Sequence, residues 1–319
     1  MLPMEVDDTG VVTVKRATSC IKLSIFDPVG GNKRARIDGF GDCIVSVVFS
    51  HGNTLMVGRS LRNSFQVFDV PTGRNLCEVE GHVGTVISLC FNPTNTLLAS
   101  GSTDHTIVIW STSDWEKMFV LHGHSSWVKS MCFNHSGSML VSGSYGEIKM
   151  WDLSREECVK TAQEEDTIVS SLSFNRDDSM LVSGQCNHAI IVWDAKSMER
   201  KSVILIGFDY PSSVSFNADS TLIIGEYWGK MITMWDVNTG SEIRNVPGIL
   251  CTGFVTKYNF FVSIEAGKYY LCSANAASWL YFDRLVGKRI YDSKSIGKYF
   301  DRLAHELLCL IGSFMPKYQ

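Results

Sequence analysis

The sequence has no long apolar run and little net charge, and each of these absences excludes a class of protein. The longest apolar stretches, such as residues 43–49 and 307–311, fall far short of the ~20 residues that a membrane-spanning helix needs. The formal net charge is only −4, so the chain has no broad attraction for nucleic acid or anionic membranes. We therefore predict a protein that neither inserts into membranes nor binds nucleic acid.

The ten cysteines include no C-x-x-C pair. Cys90 and Cys132 occupy the same place in the similar strings LCFN and MCFN. A cysteine that recurs at one position of a repeat is typically a small buried hydrophobe rather than a disulfide partner or metal ligand. Residues 1–8 carry no basic segment followed by an apolar one, so no secretory signal is predicted. We expect a reducing compartment, which is the cytoplasm or the nucleus.

Motifs of common enzymes are also missing. There is no P-loop, no G-x-G-x-x-G after a strand, no H-E-x-x-H, no EF-hand loop and no G-x-S-x-G. His122 and His124 could supply two metal ligands, but no third ligand lies at a suitable spacing. The acidic run Glu164, Glu165 and Asp166 is typical of a solvated turn between repeats, and it could alternatively bind a basic partner. We predict no enzymatic activity, cofactor, metal or small-molecule substrate.

What the sequence does contain is a repeat of about 42 residues. The strings IVIWS, IKMWD, IVWDA and ITMWD place Trp110, Trp151, Trp193 and Trp235 at separations of 41, 42 and 42. Aromatic residues continue this row in both directions, although the last step is 47 residues. The seven equivalent positions are Phe26, Phe68, Trp110, Trp151, Trp193, Trp235 and Phe282. A second row has nearly the same period and consists of Phe49, Phe91, Phe133, Phe174 and Phe216.

Each repeat reads as four short strands. Residues 86–91 form an apolar run, which is followed by the turn 92–95, a second run at 97–100, a third run ending at Trp110 and a more polar fourth run. Short runs rich in Val, Ile and aromatic residues between turn-forming residues are typical of strands. Four strands per 42 residues match one blade of a β-propeller, so seven aromatic positions predict seven blades.

Two dipeptides make the repeat similar to a known family. Gly-His pairs precede the first strand of two repeats, and Trp-Asp pairs end the third strand of three repeats. The pairs are Gly81-His82, Gly123-His124, Trp151-Asp152, Trp193-Asp194 and Trp235-Asp236. With the pattern of residues 97–110, they make the chain resemble the WD-repeat family over nearly its whole length. The resemblance implies an all-β, seven-bladed WD-repeat β-propeller that forms a single domain, residues 1–319.

We expect the two ends of the chain to share one blade, because an open ring would leave strand edges unpaired. Residues 11–16, 20–26 and 33–37 would supply three strands of it. Residues 1–40 and 293–319 would then form the closing blade, and residues 41–292 the other six. An alternative for residues 299–315 is a helix, since Leu303, Leu307 and Leu310 would share one face.

The WD-repeat resemblance also implies buried hydrogen-bond sets made of His, Ser, Asp and Trp. Only the second repeat keeps all four, as His82, Ser100, Asp104 and Trp110. The third keeps His124, Ser142 and Trp151, but it has Gly146-Glu147 where Asp is expected. The fourth has Glu165 and Asn187, and the fifth Gly207 and Gly229, at the His and Asp places. We expect the sets to weaken along the chain. A Ser-His-Asp set could also suggest a hydrolase triad, but the resemblance assigns these residues to buried structure.

Members of this family often bind peptides on the face that carries the loops before the first strand and the turns between the second and third. We call this the loop face. Carrying those positions over predicts partner-binding residues Thr85, Thr103, Trp127, Lys129, Tyr145, Tyr210 and Trp228. Ile87, Ile168, Ser170 and Cys186 occupy the remaining places in the second and fourth repeats. No positions are assigned in the sixth repeat, where the longer spacing predicts an insertion within residues 265–277.

The aromatic residues at these places are typical of interface anchors. We therefore predict a non-catalytic scaffold subunit of an intracellular multiprotein complex, with a partner peptide or helix on the loop face and Lys129 contacting an acidic group. The alternative is a reader of phosphorylated or otherwise modified motifs, such as a substrate receptor of a ubiquitin ligase. That function needs a basic cluster, for which only Lys129, Arg59 and Arg62 are candidates.

Overall fold

A computed structural model describes residues 11–16, 21–26, 33–37, 46–51, 54–59, 62–69, 71–207, 210–217, 219–227, 231–247, 254–255, 260–265, 268–273, 279–282 and 289–291. These residues form 27 β-strands and their turns, with no helix among them. All paired strands are antiparallel, and within each sheet the strands lie in the order of the sequence. Within these residues no helix is long and apolar enough to span a membrane.

Three sheets precede residue 122. The first is β1 (Val11–Arg16), β2 (Ile21–Phe26) and β3 (Lys33–Ile37). The second, which is the first repeat, is β4 (Ser46–Phe49), β5 (Leu55–Arg59), β6 (Ser64–Asp69) and β7 (Arg74–Glu80). The third, which is the second repeat, is β8 (Val86–Phe91), β9 (Leu97–Ser102), β10 (Ile107–Ser111) and β11 (Lys117–Leu121).

Three more sheets follow. One has seven strands, β12 (Ser130–Phe133), β13 (Met139–Gly143), β14 (Tyr145–Asp152), β15 (Glu157–Phe174), β16 (Met180–Gln185), β17 (Ala189–Asp194) and β18 (Arg200–Leu205). The fifth repeat has four, β19 (Pro211–Phe216), β20 (Leu222–Tyr227), β21 (Met231–Asp236) and β22 (Glu242–Pro247). The last sheet has five, β23 (Phe254–Val255), β24 (Phe260–Glu265), β25 (Lys268–Ser273), β26 (Trp279–Phe282) and β27 (Arg289–Tyr291).

The seven-stranded sheet joins the third and fourth repeats through one long strand. The first half of β15 pairs with β14, and its second half pairs with β16. It is therefore the last strand of the third repeat and the first strand of the fourth. The prediction that Glu164, Glu165 and Asp166 form a solvated turn is wrong, because they lie within this strand and Glu164 is buried.

The apolar cores lie between neighbouring sheets. Successive residues of a strand point to opposite faces, and in β10 Ile107 and Ile109 pack on the third repeat while Val108 and Trp110 pack on the first. The run IVIW is continuously apolar because both faces of its sheet are covered. Two further clusters join the third repeat to the fourth and the fourth to the fifth.

The first strand of each repeat lies against the first strand of the next. Contacts link β4 to β8, β8 to β12, β12 to β15 and β15 to β19. A serine hydroxyl reinforces three of these steps by donating to a carbonyl of the following repeat: Ser88 to Val128 at 2.7 Å, Ser130 to Val169 at 3.0 Å and Ser170 to Pro211 at 2.7 Å. Sheets that touch along their first strands have the arrangement of propeller blades around an axis.

All seven predicted aromatic positions lie on strands. From the first to the fifth repeat they are on the third strand, and the pairing with the fourth strand shifts register just before each of them. Phe26 ends β2 and Phe282 ends β26. Residues 265–277, where an insertion is predicted, include strand β25. Since Phe282 lies on β26, the strands β24 to β27 match the four strands of the other repeats, and β23 is the additional strand of this sheet. Seven blades and their closure remain predictions, since residues 293–319 lie outside the described residues.

The cysteines at the recurring core position are partly buried free thiols. Cys132 packs against the core between the third and fourth repeats, and Cys90 against the core between the second and third. Burial raises the pKa of the Cys90 thiol well above its usual range and also raises the pKa of Cys132. Both side chains therefore stay neutral and pack as small hydrophobes.

Candidate protein-binding face and buried hydrogen-bond sets

The second repeat brings together the four side chains of its predicted set. Trp110 Nε1 donates to Ser100 Oγ at 2.7 Å, and Ser100 Oγ lies 2.8 Å from His82 Nε2. His82 Nδ1 lies 2.9 Å from Asp104 Oδ2. A neutral His82 that carries its proton on Nδ1 satisfies every one of these contacts. The set forms one directional chain from the indole to the carboxylate.

The same geometry resembles a hydrolase triad, but its surroundings do not permit that chemistry. A nucleophilic serine must reach a substrate carbonyl. Ser100 is fully buried, and its hydroxyl oxygen already accepts a hydrogen bond from the indole nitrogen of Trp110. Gly81 is packed so closely that a Cβ atom there would lie 2.5 Å from the Trp110 ring. The set therefore ties the loop before β8 to β9 and β10.

Asp104 holds that loop in place. Its Oδ2 accepts from the backbone of Val83 at 2.9 Å and of Gly84 at 3.2 Å. Burial raises the pKa of the Asp104 carboxyl, but hydrogen bonds from Thr106 and Gly84 and the nearby His82 outweigh burial and hold this pKa well below its usual range. The carboxylate thus stays charged and fixes the part of the loop face contributed by the second repeat.

The expectation that the third repeat lacks a complete set is wrong. Glu147 Oε1 lies 3.0 Å from His124 Nδ1, and Ser142 Oγ bonds both to His124 Nε2 at 2.6 Å and to Trp151 Nε1 at 2.7 Å. Glu147 also accepts from the backbone of Ser125 at 2.8 Å, as Asp104 does from Val83. The longer glutamate side chain compensates for the shorter turn between β13 and β14.

His124 is held neutral by its surroundings. Burial lowers the pKa of His124 to about 4, although Glu147 opposes this shift. Burial raises the pKa of Glu147, but hydrogen bonds from Ser125, Lys149 and His124 lower it to about 2. Since both nitrogens of His124 are bonded within the set, His122 and His124 do not form a metal site. In the described part of the chain, no group of three or more His, Cys, Asp or Glu could hold a metal ion.

The fourth repeat replaces the His–Asp pair with a different buried set. Glu164 is 3% exposed and lies 2.7 Å from Arg200 Nη2, and Gln185 Nε2 donates to it at 2.8 Å. The link from Trp193 Nε1 to Ser183 Oγ persists at 2.8 Å. Asn187, predicted at the Asp place, is exposed, and the side chain of Glu165 lies outside the description.

In the fifth repeat the glycine at position 225 takes the place of the serine. A Cβ atom there would lie 2.8 Å from the Trp235 ring, so the ring fills the space that a serine side chain needs. Gly207, predicted at the His place, has φ +29, and Gly229 lies outside the described residues. The sets thus change in composition along the chain, and the serine is lost only here among the second to fifth repeats.

The residues predicted to bind a partner lie at one end of the strands. Trp127 is 59% exposed, Tyr145 is 48% exposed and Lys129 is also exposed. Thr85, Thr103 and Tyr210 are half-buried at the matching places of the second and fifth repeats, and Trp228 lies outside the described residues. Thr85 and Thr103 bond to each other, since Thr85 N donates to Thr103 Oγ1 at 2.9 Å and Thr103 N donates to Thr85 O at 2.9 Å.

The third and fourth repeats are joined at this end. Tyr145 on β14 is the cross-strand partner of Ile168 on β15, and Ile168 is 38% exposed. Lys129 N donates to Gly143 O at 2.9 Å, and Cys186 N donates to Ile168 O at 3.0 Å. We call Trp127, Lys129, Tyr145 and Ile168 the aromatic patch. Backbone hydrogen bonds at Lys129 and Ile168 therefore fix the main chain on both sides of the patch.

Two contributors to this face were missed by sequence reasoning. Val83, directly after the Gly-His pair, is 94% exposed, and an apolar residue in a glycine-flanked loop was the available signal. The second is Asp166, whose Oδ1 accepts from the Tyr145 hydroxyl at 3.2 Å. This contact forms because β15 continues from one repeat into the next, and the repeat pattern gives no signal of it.

The fold and its buried sets define a WD-repeat-type β-propeller. Residues 43–278 match the family described as IFT122 first beta-propeller. The chain belongs to this family. Comparison with curated proteins gives no match.

Proposed function

We propose that this protein is a non-catalytic scaffold subunit of an intraflagellar transport complex and that it binds a segment of a partner protein on its loop face. Membership of a family described as an IFT122 propeller supports the place in such a complex. The binding mode rests on the aromatic patch at the junction of the third and fourth repeats. A peptide or helix would lie across the patch.

The observation that carries this proposal is the exposure of large aromatic side chains beside hydrogen-bonded backbone. Trp127 and Tyr145 are both about half exposed, although each adjoins a buried residue, Val128 or Ser144. Trp and Tyr supply a large contact area and lose little conformational freedom on binding, so they dominate the energy of many interfaces. Fixed loops lower the entropic cost of binding further.

We propose a non-catalytic role because both Ser-His-carboxylate sets are buried within the structure. His82, His124 and their serines are buried and bonded to one another. A general base or nucleophile must lie within reach of a substrate. Any activity of the assembly would therefore come from other subunits.

A co-purification experiment tests the proposal. The tagged full chain and its Trp127→Ala/Tyr145→Ala variant would be expressed in ciliated cells, and bound proteins would be quantified by mass spectrometry. We expect at least one partner to fall about tenfold or more in the variant, since two anchors are removed. Met118→Ala is the matched control, because Met118 is equally exposed on the outer strand β11. An unchanged set of partners, with normal folding by circular dichroism, would contradict the proposal.

A second candidate is a reader of phosphorylated motifs. Its support is that Arg62 O accepts from Val86 N at 3.0 Å, which puts Arg62 beside the loop face of the second repeat. Recognition by a basic cluster would weaken steeply with salt, whereas aromatic anchoring would not. The salt dependence of partner binding separates the two functions.

A further inference from the structure

Lys129 has no carboxylate partner in the described residues, unlike several other basic residues of the third and fourth repeats. Lys149, Arg200 and Lys201 each lie within 4 Å of a carboxylate oxygen, at 3.1, 2.7 and 3.4 Å. Among the residues that the structure describes, no carboxylate lies within ion-pair distance of Lys129. The Lys129 side chain is exposed, as are Trp127 two residues before it and Tyr145 at the start of β14.

The charge at this place is particular to the third repeat. The matching residues of the second, fourth and fifth repeats are Ile87, Ser170 and Ser212. Ser170 Oγ donates to Gly184 O at 3.0 Å, and Ser212 Oγ donates to Glu226 O at 3.0 Å. The two serine side chains bond to backbone carbonyls of their own sheets, whereas the Lys129 side chain forms no such bond with the described residues.

The Lys129 ammonium also acts across the junction with the fourth repeat. Burial raises the pKa of the Cys186 thiol, and the positive charge of Lys129 opposes that shift. The backbone of Cys186 belongs to the same junction, since Cys186 N donates to the carbonyl of Ile168, the cross-strand partner of Tyr145.

A carboxylate suits this site better than a phosphate group. Asp166 accepts from the Tyr145 hydroxyl at 3.2 Å and brings a negative charge to the edge of the patch. The single positive charge of Lys129 can balance one negative charge, and the Asp166 carboxylate repels a doubly charged group more than a singly charged one. A phosphate group carries up to two at neutral pH and usually requires several basic side chains.

We propose that Trp127, Lys129 and Tyr145 bind an aspartate or glutamate that is flanked by apolar residues in the partner segment. The carboxylate pairs with Lys129 Nζ, and the flanking side chains pack on the two rings and on Ile168. This inference rests on the proposed function, because it assigns a ligand chemistry to the same face.

A randomised decapeptide library displayed on phage tests the inference with the full chain as bait. The wild type should enrich peptides with one acidic residue between apolar ones. Lys129→Glu should enrich a basic residue at the same place, and Lys129→Met should lose the acidic preference. Lys117→Met is the charge-matched control, because Lys117 is exposed on β11, and it should behave as the wild type.

The best wild-type peptide would then be synthesised with its acidic residue intact, as the amide, and as phosphoserine. We expect about tenfold weaker binding for the amide and for phosphoserine, by fluorescence titration. Acidic enrichment that survives Lys129→Met, or tighter binding of phosphoserine, would overturn the inference. So would a selection that enriches no peptide.

The variant Trp127→Ala/Tyr145→Ala separates the two levels of failure. If it binds the selected peptide as well as the wild type does, the face itself is wrong and the proposed function fails. If it loses the peptide while Lys129→Met retains it, the face stands and only the acidic ligand is refuted.

Discussion

At the scale of single residues, two histidines in equivalent places bond to carboxylates of different length. Asp104 reaches His82 from a turn of ordinary length, and Glu147 reaches His124 after a turn that is one residue shorter. In both repeats the carboxylate also accepts from the backbone of the loop before the first strand. What is kept is a buried anion that orients the histidine and holds the loop.

Burial of His124 makes stability depend on pH. The unfolded histidine takes up a proton near pH 6.5, but the folded one does so only at about 4. Between these values the unfolded state binds more protons, so stability falls as pH falls. We expect a loss of about 2 kcal/mol in the free energy of unfolding between about pH 7 and pH 5 from this group.

Urea denaturation at the two pH values measures this loss. His124→Asn should be less stable at neutral pH, but its stability should depend less on pH. His122→Asn, at an exposed neighbour, should keep the wild-type dependence. An acid loss that is equal in His124→Asn and the wild type would refute the prediction.

Residue roles could be predicted where spacing alone determines them. His82 and Ser100 are separated by 18 residues, as are His124 and Ser142, so their pairing follows from the repeat. Glu147 could not be assigned, because its role depends on how far a glutamate reaches from a shortened turn. The exposure of Trp127 and Tyr145 agrees with their predicted places, but their binding role remains a prediction.

At the scale of the elements, sheets pack so closely that some positions admit no side chain. Gly143 ends β13, and a Cβ atom there would lie 2.5 Å from Val169 Cγ1 on β15. Sheet faces that touch in this way leave no room for an added methyl group without displacing their neighbours.

Gly143→Ala should therefore destabilise the protein by about 1–3 kcal/mol through overpacking. Val169→Ala removes Cγ1, the nearest atom, but leaves Val169 Cβ at 2.6 Å and Ser130 Oγ at 2.8 Å, so the relief is partial. By itself it costs stability by leaving a cavity. In the double variant the two losses should fall short of their sum by about 1 kcal/mol, because each change relieves the other. Strict additivity in urea denaturation would show that the two residues do not meet.

The ion pair of Glu164 and Arg200 links the long strand β15 to β18. Arg200→Ala should cost about 2 kcal/mol, because it leaves a buried carboxylate short of a charged donor. Adding Glu164→Gln should recover part of that loss. Arg155→Ala, at a largely exposed arginine near two carboxylates, should cost under ~0.5 kcal/mol. Equal losses for the two arginine variants would contradict this account.

Element boundaries were predictable where the apolar alternation is clear, as in β8, β9 and β10. The continuity of β15 was not, because the run Glu164–Asp166 has the composition of a loop while its backbone pairs on both sides of it. The polarity of a segment cannot reveal that one of its carboxylates, that of Glu164, is paired with an arginine 36 residues away. The additional strand β23 was likewise not predictable, since no repeat position marks it.

At the scale of the whole molecule, the packing of successive sheets along their first strands brings separate loops onto one face. Serine bonds between repeats and apolar cores on both sides of each sheet fix the spacing of these loops. The aromatic patch is a product of this arrangement, because Trp127 and Tyr145 belong to the third repeat and Ile168 to the fourth. The proposed scaffold function depends on that shared surface.

Site-specific photocrosslinking in cells tests the central claim most directly. A photoreactive phenylalanine analogue would replace either Trp127, on the loop face, or Met118, on the outer strand β11. We expect position 127 to become covalently joined to a partner protein under illumination and position 118 to give no such product. A partner captured from position 118 and not from position 127 would place the interface on the rim and contradict the account.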